Sequence, residues 1–549
     1  MVKSLRSLGV DAVFGIPGSH DAFLYDALRK SPVRTILATN ELHAAFMANG
    51  YFRRCGKPGV MVTVAGPGFT NGVTGLAEAF FDSAGLVCIV CKPAGLPGQK
   101  FQLQKIDEKE IIRSVSKNGF KIKDGAEIGS FLPECFGLAV SGEPGPVLLE
   151  ISSSALSQKT PDIGLDGSTP QIWLLPLDKQ AFDKAARRIE SSRKPLLYLG
   201  QGAMPASAAI HELVDLLNIP VLTTTSGRGI LSEKHPMCLP CDLMEDTKLL
   251  NTLIESSDLV LAAGCKFTHN GAKGFRLKLP KEKLIHVDAS PDVLGANYPA
   301  HIALCGDAAD FFNSLLQRRE LFRLREPGWK PVEIAEWRRS LLKNKHKKSF
   351  SEPRFEGLRP PTAAAFFTAL DDLLPEDSCM VTDSGLHQMM ARKYLPVTAP
   401  AGLIVPADFQ SMGFGIPAGI GAKLASPESK VVIVTGDGGF ALSGMELLTA
   451  VREKIDVTVI LFNDNRLGMI HLHQLSKSGR SHAVQTGLVD YSRFCESIGC
   501  ACFKAADDCH ASLEKALEAE GVSLVEVSLR DSLDYKKSGV KGAIRSFIK

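Results

Sequence analysis

The chain has 549 residues, 45% hydrophobic and 22% charged, and its 63 basic and 60 acidic residues leave a net charge of +3. That length exceeds a single core and implies about three or four domains, and the near-balance of charge excludes nucleic acid as a partner. No apolar run approaches the ~20 residues that cross a bilayer. The N-terminal "MVKSLRSLGVDAVFG" has no signal-peptide core, so a cytoplasmic protein without membrane contact is expected.

In chain order, the first informative element is "ATNELHAAFMANGYFR" (38–53). The residues from Thr35 to Ala38 read as a strand end. Thr39 and Asn40 can cap a helix, and Leu42, Ala45, Phe46 and Asn49 recur at helical spacing. Glu41 stands where strand and helix meet; taken alone, it complements the helix dipole. "GVMVTVAG" (59–66), "GLVCIVC" (85–91) and "GPVLLEI" (145–151) read as buried parallel strands. A second set follows in "KPLLYLG" (194–200), "IPVLTT" (219–224), "DLVLAAG" (258–264) and "KLIHVDA" (283–289). "SCMVTD" (378–383), "KVVIVTGDGG" (430–439), "DVTVILFND" (456–464) and "VSLVEVSL" (522–529) make a third. Helix-length segments separate the strands of each set, which predicts three open, mostly parallel α/β domains of similar size. Polar stretches at 157–171 and roughly 330–361 divide them, and "KNKHKK" (343–348) in the second reads as a solvated linker.

Two CxxC pairs occur among the cysteines. Cys88 and Cys91 are an odd number of residues apart in a strand, so their thiols face opposite ways and cannot share a metal. Cys238 and Cys241 have no second pair at zinc-ribbon distance. Both pairs read as small apolar fillers.

The informative glycine turn is "VVIVTGDGGFALSG" (431–444). Gly436, Gly438 and Ala441 match the dinucleotide pattern G-x-G-x-x-A, and Asp456 sits 20 residues after Gly436. Asp437 defeats that reading, because it sets a carboxylate against the pyrophosphate that the turn would cradle. Two anions meet there only if a cation stands between them, and a hard divalent ion does this with oxygen ligands. The turn Gly436–Gly439 therefore predicts a Mg²⁺-bridged diphosphate. A second oxygen ligand is expected from a neighbouring strand end, where "LFNDNRLG" (461–468) offers Asn463 and Asp464.

G-D-G followed after 24 residues (439–462) by an N-N-like pair resembles the cofactor motif of thiamine-diphosphate-dependent enzymes. The resemblance is to the acetolactate synthase branch, along nearly the whole chain. It is carried by "VFGIPGSHDAFLYDAL", "NELHAAFMANGYFR", "KPGVMVTVAGPGFTNGVTGLAEAFFDS", "DSGLHQMMA", "SMGFGIPAGIGAKLA" and "NDNRLGMI". It implies a pyrimidine-binding domain over 1–156, a Rossmann-like middle domain over 172–330 and a diphosphate-binding domain over 358–549.

On that resemblance Glu41 gains a catalytic part. It binds N1′ of the aminopyrimidine and favours the imino tautomer, so that the cofactor's own N4′ removes the C2 proton. Asn71 meets the pyrimidine from Glu41's side, and the backbones of Gln410 and Met412 hold its edge. Met412 also props the cofactor into a bent shape, although it could equally be a plain core methionine. His387 contacts the diphosphate, with Leu386 where glutamine is common. Asp437, Asp464 and the carbonyl of Arg466 bind Mg²⁺, Asp464 replacing the commoner asparagine, and Met469 joins the cofactor-binding set. A homodimer or homotetramer with shared sites is implied.

Simple 2-oxo-acid decarboxylases of the family carry paired histidines in the first domain and a glutamate after the N-N strand. This chain has "GQKFQLQKID" (98–107) and Ile470 instead, which favours joining the acyl unit to a second carbonyl over protonating it. Phe101 and Gln102 resemble the acceptor-pocket pair of acetolactate synthases, with core packing as the other reading for Phe101. His473 stands where those enzymes have a pocket tryptophan, and it either lines the pocket or points to solvent. Glu41, Gln102 and His473 are thus the catalytic candidates. His471, two residues from His473 on a helix, cannot face the same site. Ser19, His20 and His43 add polarity to the pocket and point to an acceptor other than pyruvate or 2-oxobutyrate. A decarboxylase, a 2-hydroxyacyl lyase and a non-enzymatic cofactor-binding protein are the alternatives. FAD is not expected, because "EKHPMCLPCDLMEDT" and "GCKFTHNGAKGF" lack the family's FAD patterns and "GQGAMP" (200–205) is only a partial dinucleotide motif.

Overall fold

The computed structural model describes residues 1–96, 99–158, 176–241, 247–320, 328–345, 353–358, 362–505 and 509–530. Three sheets account for the strands. The first holds β1 (Ala12–Gly15), β2 (Arg34–Leu37), β3 (Gly59–Val64), β4 (Leu86–Lys92), β5 (Asn118–Ile122) and β6 (Pro146–Ser152), in the order β2-β1-β3-β4-β6-β5. The middle sheet holds β7 (Pro195–Leu199), β8 (Val221–Thr223), β9 (Leu259–Ala263), β10 (Leu284–Asp288) and β11 (Ile302–Cys305), in the order β11-β10-β9-β7-β8. The third has β12 (Arg354–Phe355), β13 (Cys379–Thr382), β14 (Leu403–Ile404), β15 (Val431–Gly436), β16 (Thr458–Asn463), β17 (Ala501–Lys504) and β18 (Ser523–Arg530). Its order is β12-β18-β16-β15-β13-β14, with β17 also on β18. Every pairing is parallel except that of β12 with β18. Helices cover both faces, so the central strands are buried throughout and mostly apolar: every residue of β7, β9, β10, β15 and β16 is buried.

The first and third sheets are wound alike. Read as β14-β13-β15-β16-β18-β17, the third repeats the order β2-β1-β3-β4-β6-β5 of the first. The helix after β2 (Glu41–Cys55) and the helix after β14 (Gly415–Ala425) pack on each other. Glycine makes this crossing close: a Cβ on Gly50 would overlap the Ala418 carbonyl, and one on Gly421 would overlap that of Met47. Phe46 meets Phe414 edge-on at 5.2 Å, and one apolar cluster runs through both sheets.

The polar stretch from 330 is helical as far as Lys345. Trp329, Ile334 and Leu341 are buried in the middle domain's core, Trp329 donates to the Pro195 carbonyl at 2.6 Å, and Glu333 pairs with Lys194 at 2.7 Å. Its charged residues hid an apolar stripe at helical spacing. Lys343 therefore ends a helix rather than opening a linker, and 346–348 of "KNKHKK" lie outside the described residues, as does most of 157–171. Cys88 and Cys91 fall in different apolar clusters, as do Cys238 and Cys241, and none of the thirteen cysteines is in a disulfide. Among the described residues no helix is long and apolar enough to cross a membrane.

Candidate active site

In sheets of this kind ligands bind outside the carboxyl ends of the strands, where the strand order reverses. That point lies between β1 and β3 in the first sheet and between β13 and β15 in the third.

At the first, Asn40 caps the helix by accepting the Leu42 N–H at 2.9 Å, which sets Glu41 in the first turn, 8% exposed. The turn after β3 enters the helix Pro67–Phe81 through Gly66, whose φ of +70° suits glycine. A Cβ on Gly68 would stand 3.0 Å from Glu41 Oε1 and 2.5 Å from Thr63 Oγ1, so glycine lets the helix close on the carboxylate. Asn71 Nδ2 donates to Glu41 Oε2 at 3.0 Å. The carboxylate is thereby oriented from a second helix.

Glu446 holds the same turn from the third domain. It is buried and accepts from the Thr39 N–H, the Thr39 hydroxyl, Thr449 Oγ1 at 2.7 Å and His43 Nδ1 at 2.8 Å. Thr39 and His43 flank Glu41, so one carboxylate fixes both sides of the catalytic candidate. His43, expected to add polarity to the pocket, is engaged in this pairing.

At the second reversal point the cradle is built of glycine. A Cβ on Gly436 would meet His387 Nδ1 at 2.9 Å, one on Gly438 would meet Leu467 at 2.5 Å, and one on Gly439 would meet Asp383 at 2.8 Å. Bare backbone at these positions allows the close approach a diphosphate needs. Asp437 is buried and accepts from Thr486 Oγ1 at 2.5 Å. Burial raises its pKa, and hydrogen bonds from Thr486 and from backbone N–H groups, including that of Arg466, partly offset this. Asp464 lies across the turn, its Oδ2 3.7 Å from Arg466 Nε. That guanidinium balances the charge gained when aspartate replaces asparagine. Two carboxylates and the Arg466 carbonyl would make an all-oxygen set, the kind a hard cation completed by phosphate oxygens takes. Among the described residues no group of three or more His, Cys, Asp or Glu could hold a metal. The fit therefore depends on the carbonyl and the phosphate.

Behind the cradle, Asp383 accepts the N–H groups of Gly413 at 3.0 Å and Gly415 at 3.1 Å, and burial pushes its pKa up to about 6. His387 is buried with Nε2 3.0 Å from the Asp383 carbonyl, and burial lowers its pKa to about 4. Met412 is 37% exposed and its methyl would lie 3.4 Å from a Cβ on Gly438, so it borders the glycine turn. Gln410 has a φ of +64°, backbone strain that tends to collect at functional sites.

The remaining candidates are more dispersed. The Gln102 amide turns into its own loop, donating to the carbonyls of Leu96 and Gln99 and accepting the Leu96 N–H at 2.7 Å. Gln104 is the residue of this segment that reaches the Glu41 side. It packs on Gly66, and its Oε1 lies 2.9 Å from His20 Nε2. Phe101 is fully exposed. Met469, Ile470, His471 and His473 share the helix Gly468–Ser478. His471 contacts Arg466 and Ser481, whereas His473 Nδ1 is buried with no hydrogen-bond partner.

The two reversal points thus offer an oriented, dry carboxylate at one and a glycine-lined, oxygen-rich cradle at the other. Three domains of the thiamine pyrophosphate enzymes match this chain: the N-terminal TPP-binding domain over 1–111, the central domain over 182–315 and the C-terminal TPP-binding domain over 383–527. The chain belongs to that family, and it is a thiamine-diphosphate- and Mg²⁺-dependent enzyme acting on C–C bonds. It is 31% identical over 548 residues to acetolactate synthase 1, chloroplastic, of Nicotiana tabacum, covering 96% of this chain and 80% of that protein. It is 32% identical over 518 residues to the probable acetolactate synthase large subunit of Methanocaldococcus jannaschii (91% and 85%). Against the acetolactate synthase isozyme 2 large subunit of Escherichia coli the identity is 29% over 543 residues (96% and 94%).

Proposed function

We propose that this enzyme is a carboligase, which decarboxylates a 2-oxo acid and joins the remaining acyl unit to a second carbonyl. The observation that carries the reading is in the sequence: the chain lacks the paired histidines and the glutamate with which decarboxylases of the family protonate the acyl unit. "GQKFQLQKID" (98–107) and Ile470 stand in place of those proton donors, and the relatives named acetolactate synthase favour the same conclusion. Thiamine diphosphate, when bound, supplies the nucleophilic carbon and the electron sink. Glu41, oriented by Asn71, holds the proton at N1′. Asp437, Asp464 and the Arg466 carbonyl hold the metal. Gly436, Gly438, Gly439 and His387 border the diphosphate, and Gln410, Met412 and Met469 border the rest. The buried Nδ1 of His473 offers an unused hydrogen bond to a polar acceptor larger than pyruvate. Homodimers or homotetramers with sites completed across subunits belong to this reading.

The test is product analysis. With Mg²⁺, thiamine diphosphate and a panel of 2-oxo acids, CO₂ release should be matched by a C–C product when a second carbonyl is added. Free aldehyde as the main product, whatever the acceptor, would replace the reading with a decarboxylase or lyase.

A further inference from the structure

The helix Pro67–Phe81 that holds Glu41 through Asn71 has a second attachment further along. Seven residues on, Glu78 accepts the backbone N–H of Ser411 on Oε2 at 2.8 Å. Asp82, which caps the helix, accepts the Ala407 N–H on Oδ1 at 3.2 Å. Arg53, from the Glu41 helix, donates to Asp82 Oδ2 at 3.0 Å and to the Val405 carbonyl at 2.5 Å. The segment 405–411 is thus held at three backbone points by side chains of the first domain. Its last residue, Ser411, lies between Gln410 and Met412.

Charge counting assigns the protonation state. Glu78 and Asp82 are buried carboxyls one helical turn apart, and the guanidinium beside them, that of Arg53, is bonded to Asp82. Asp408 adds negative charge near Asp82, and Lys266, which pairs with Glu143 at 2.8 Å, offsets part of it. A second buried anion without its own cation is costly, so Glu78 keeps its proton. Burial first, then the charge of Asp82, push Glu78 up to about 8. Hydrogen bonding by Ser411 and the charge of Arg53 offset part of that rise, and Glu78 Oε1 is buried, as fits a carboxyl that keeps its proton.

We propose that Glu78 is a positioning residue for the thiamine pyrimidine: as a carboxylic acid it fixes Ser411, and through it the backbones of Gln410 and Met412. The proposal rests on reading those backbones as the pyrimidine edge. One helix then sets both the glutamate that holds N1′ and the turn that holds the ring's edge. Loss of the Glu78 proton strengthens its bond to the Ser411 N–H but sets a second buried negative charge beside Asp82, and that repulsion strains the join that carries 405–411, so cofactor affinity should fall as pH rises through about 8.

The test is the dissociation constant of thiamine diphosphate at saturating Mg²⁺, read from intrinsic fluorescence between about pH 6.5 and 9, with no turnover involved. Wild-type protein should bind about tenfold more weakly at the alkaline end, one proton being lost across about one pH unit. Glu78→Gln keeps an acceptor for the Ser411 N–H and has no proton to lose, so it should hold its affinity across the range. Glu78→Leu should bind about tenfold more weakly at every pH, having lost that hydrogen bond beside a buried N–H. The same alkaline weakening in Glu78→Gln as in wild type would overturn the proposal, even if Glu78→Leu fails to fold. Full affinity in Glu78→Leu would overturn it too. Wild-type protein that binds no thiamine diphosphate at any pH would bring down the pyrimidine-edge reading, and this proposal with it.

Discussion

After β3 the chain reads "AGPGFTNG" (65–72), and after β15 it reads "TGDGGFALSG" (435–444). The two turns occupy the same place in two sheets of the same winding, and both enter a helix through glycine. In the first, glycine clears room for a side chain, and Asn71 brings an amide to Glu41. In the second, glycine bares backbone around Asp437, a carboxylate that only a cation can reconcile with a phosphate. On the proposed function, the same strand-turn-helix device serves proton chemistry on one sheet and anion binding on the other. The difference lies in which residue fills the turn.

The comparison can be broken at three places. Glu41→Gln removes the proton relay on the first sheet and leaves the cradle on the third. Steady-state kinetics should show turnover reduced by at least ~100-fold, with cofactor affinity nearly intact; near-normal turnover would deny Glu41 its part. Gly50→Ala strikes the join between the sheets, where a Cβ would overlap the Ala418 carbonyl. Denaturant unfolding should record a loss of about 1–3 kcal/mol, the usual penalty of overpacking a tight core; an unchanged midpoint would mean the helices part easily. The smallest effect concerns His387, whose folded pKa of about 4 lies below the ordinary 6.5. Between those values the unfolded chain holds more of the proton, so this residue contributes stability above pH 6.5 that is lost as pH falls towards 4. Asp383, raised to about 6, acts in the opposite sense over its own window and sets a background common to both proteins. Comparing Tm at pH 6.5 and 4.5, His387→Asn should lose less than wild type, and equal losses would place a charged imidazole in the cradle.

Much of this was legible in the sequence because buried parallel strands are short apolar runs. β3, β4, β9, β15 and β16 stand out on that signal alone. β5, β11 and β17 do not, since each is short and half-exposed, and neither does the helix Pro331–Lys345, whose apolar stripe is masked by charge. Among the site candidates, Asp437 stood out because it breaks a local rule, a carboxylate inside a glycine turn, whereas Glu41, which alone only complements the helix dipole, stood out through the family resemblance. Their partners did not. His20 and Gln104 are 84 residues apart, Thr486 and Asp437 are 49 apart, Ser411 and Glu78 are 333 apart, and Thr39 and Glu446 are 407 apart. No periodicity reports such pairs. Gln104 carries no motif of its own: Phe101 and Gln104 both adopt positive φ, and it is Gln104 that packs beside Gly66.

The central claim is the division of labour between the two sheets, and thiamine diphosphate titration with and without Mg²⁺ tests it most directly. Wild-type protein and Glu41→Gln should bind the cofactor alike and only with Mg²⁺, whereas Asp437→Ala should lose that metal-dependent binding. Unaltered affinity in Asp437→Ala, or equal loss in both variants, would contradict the account.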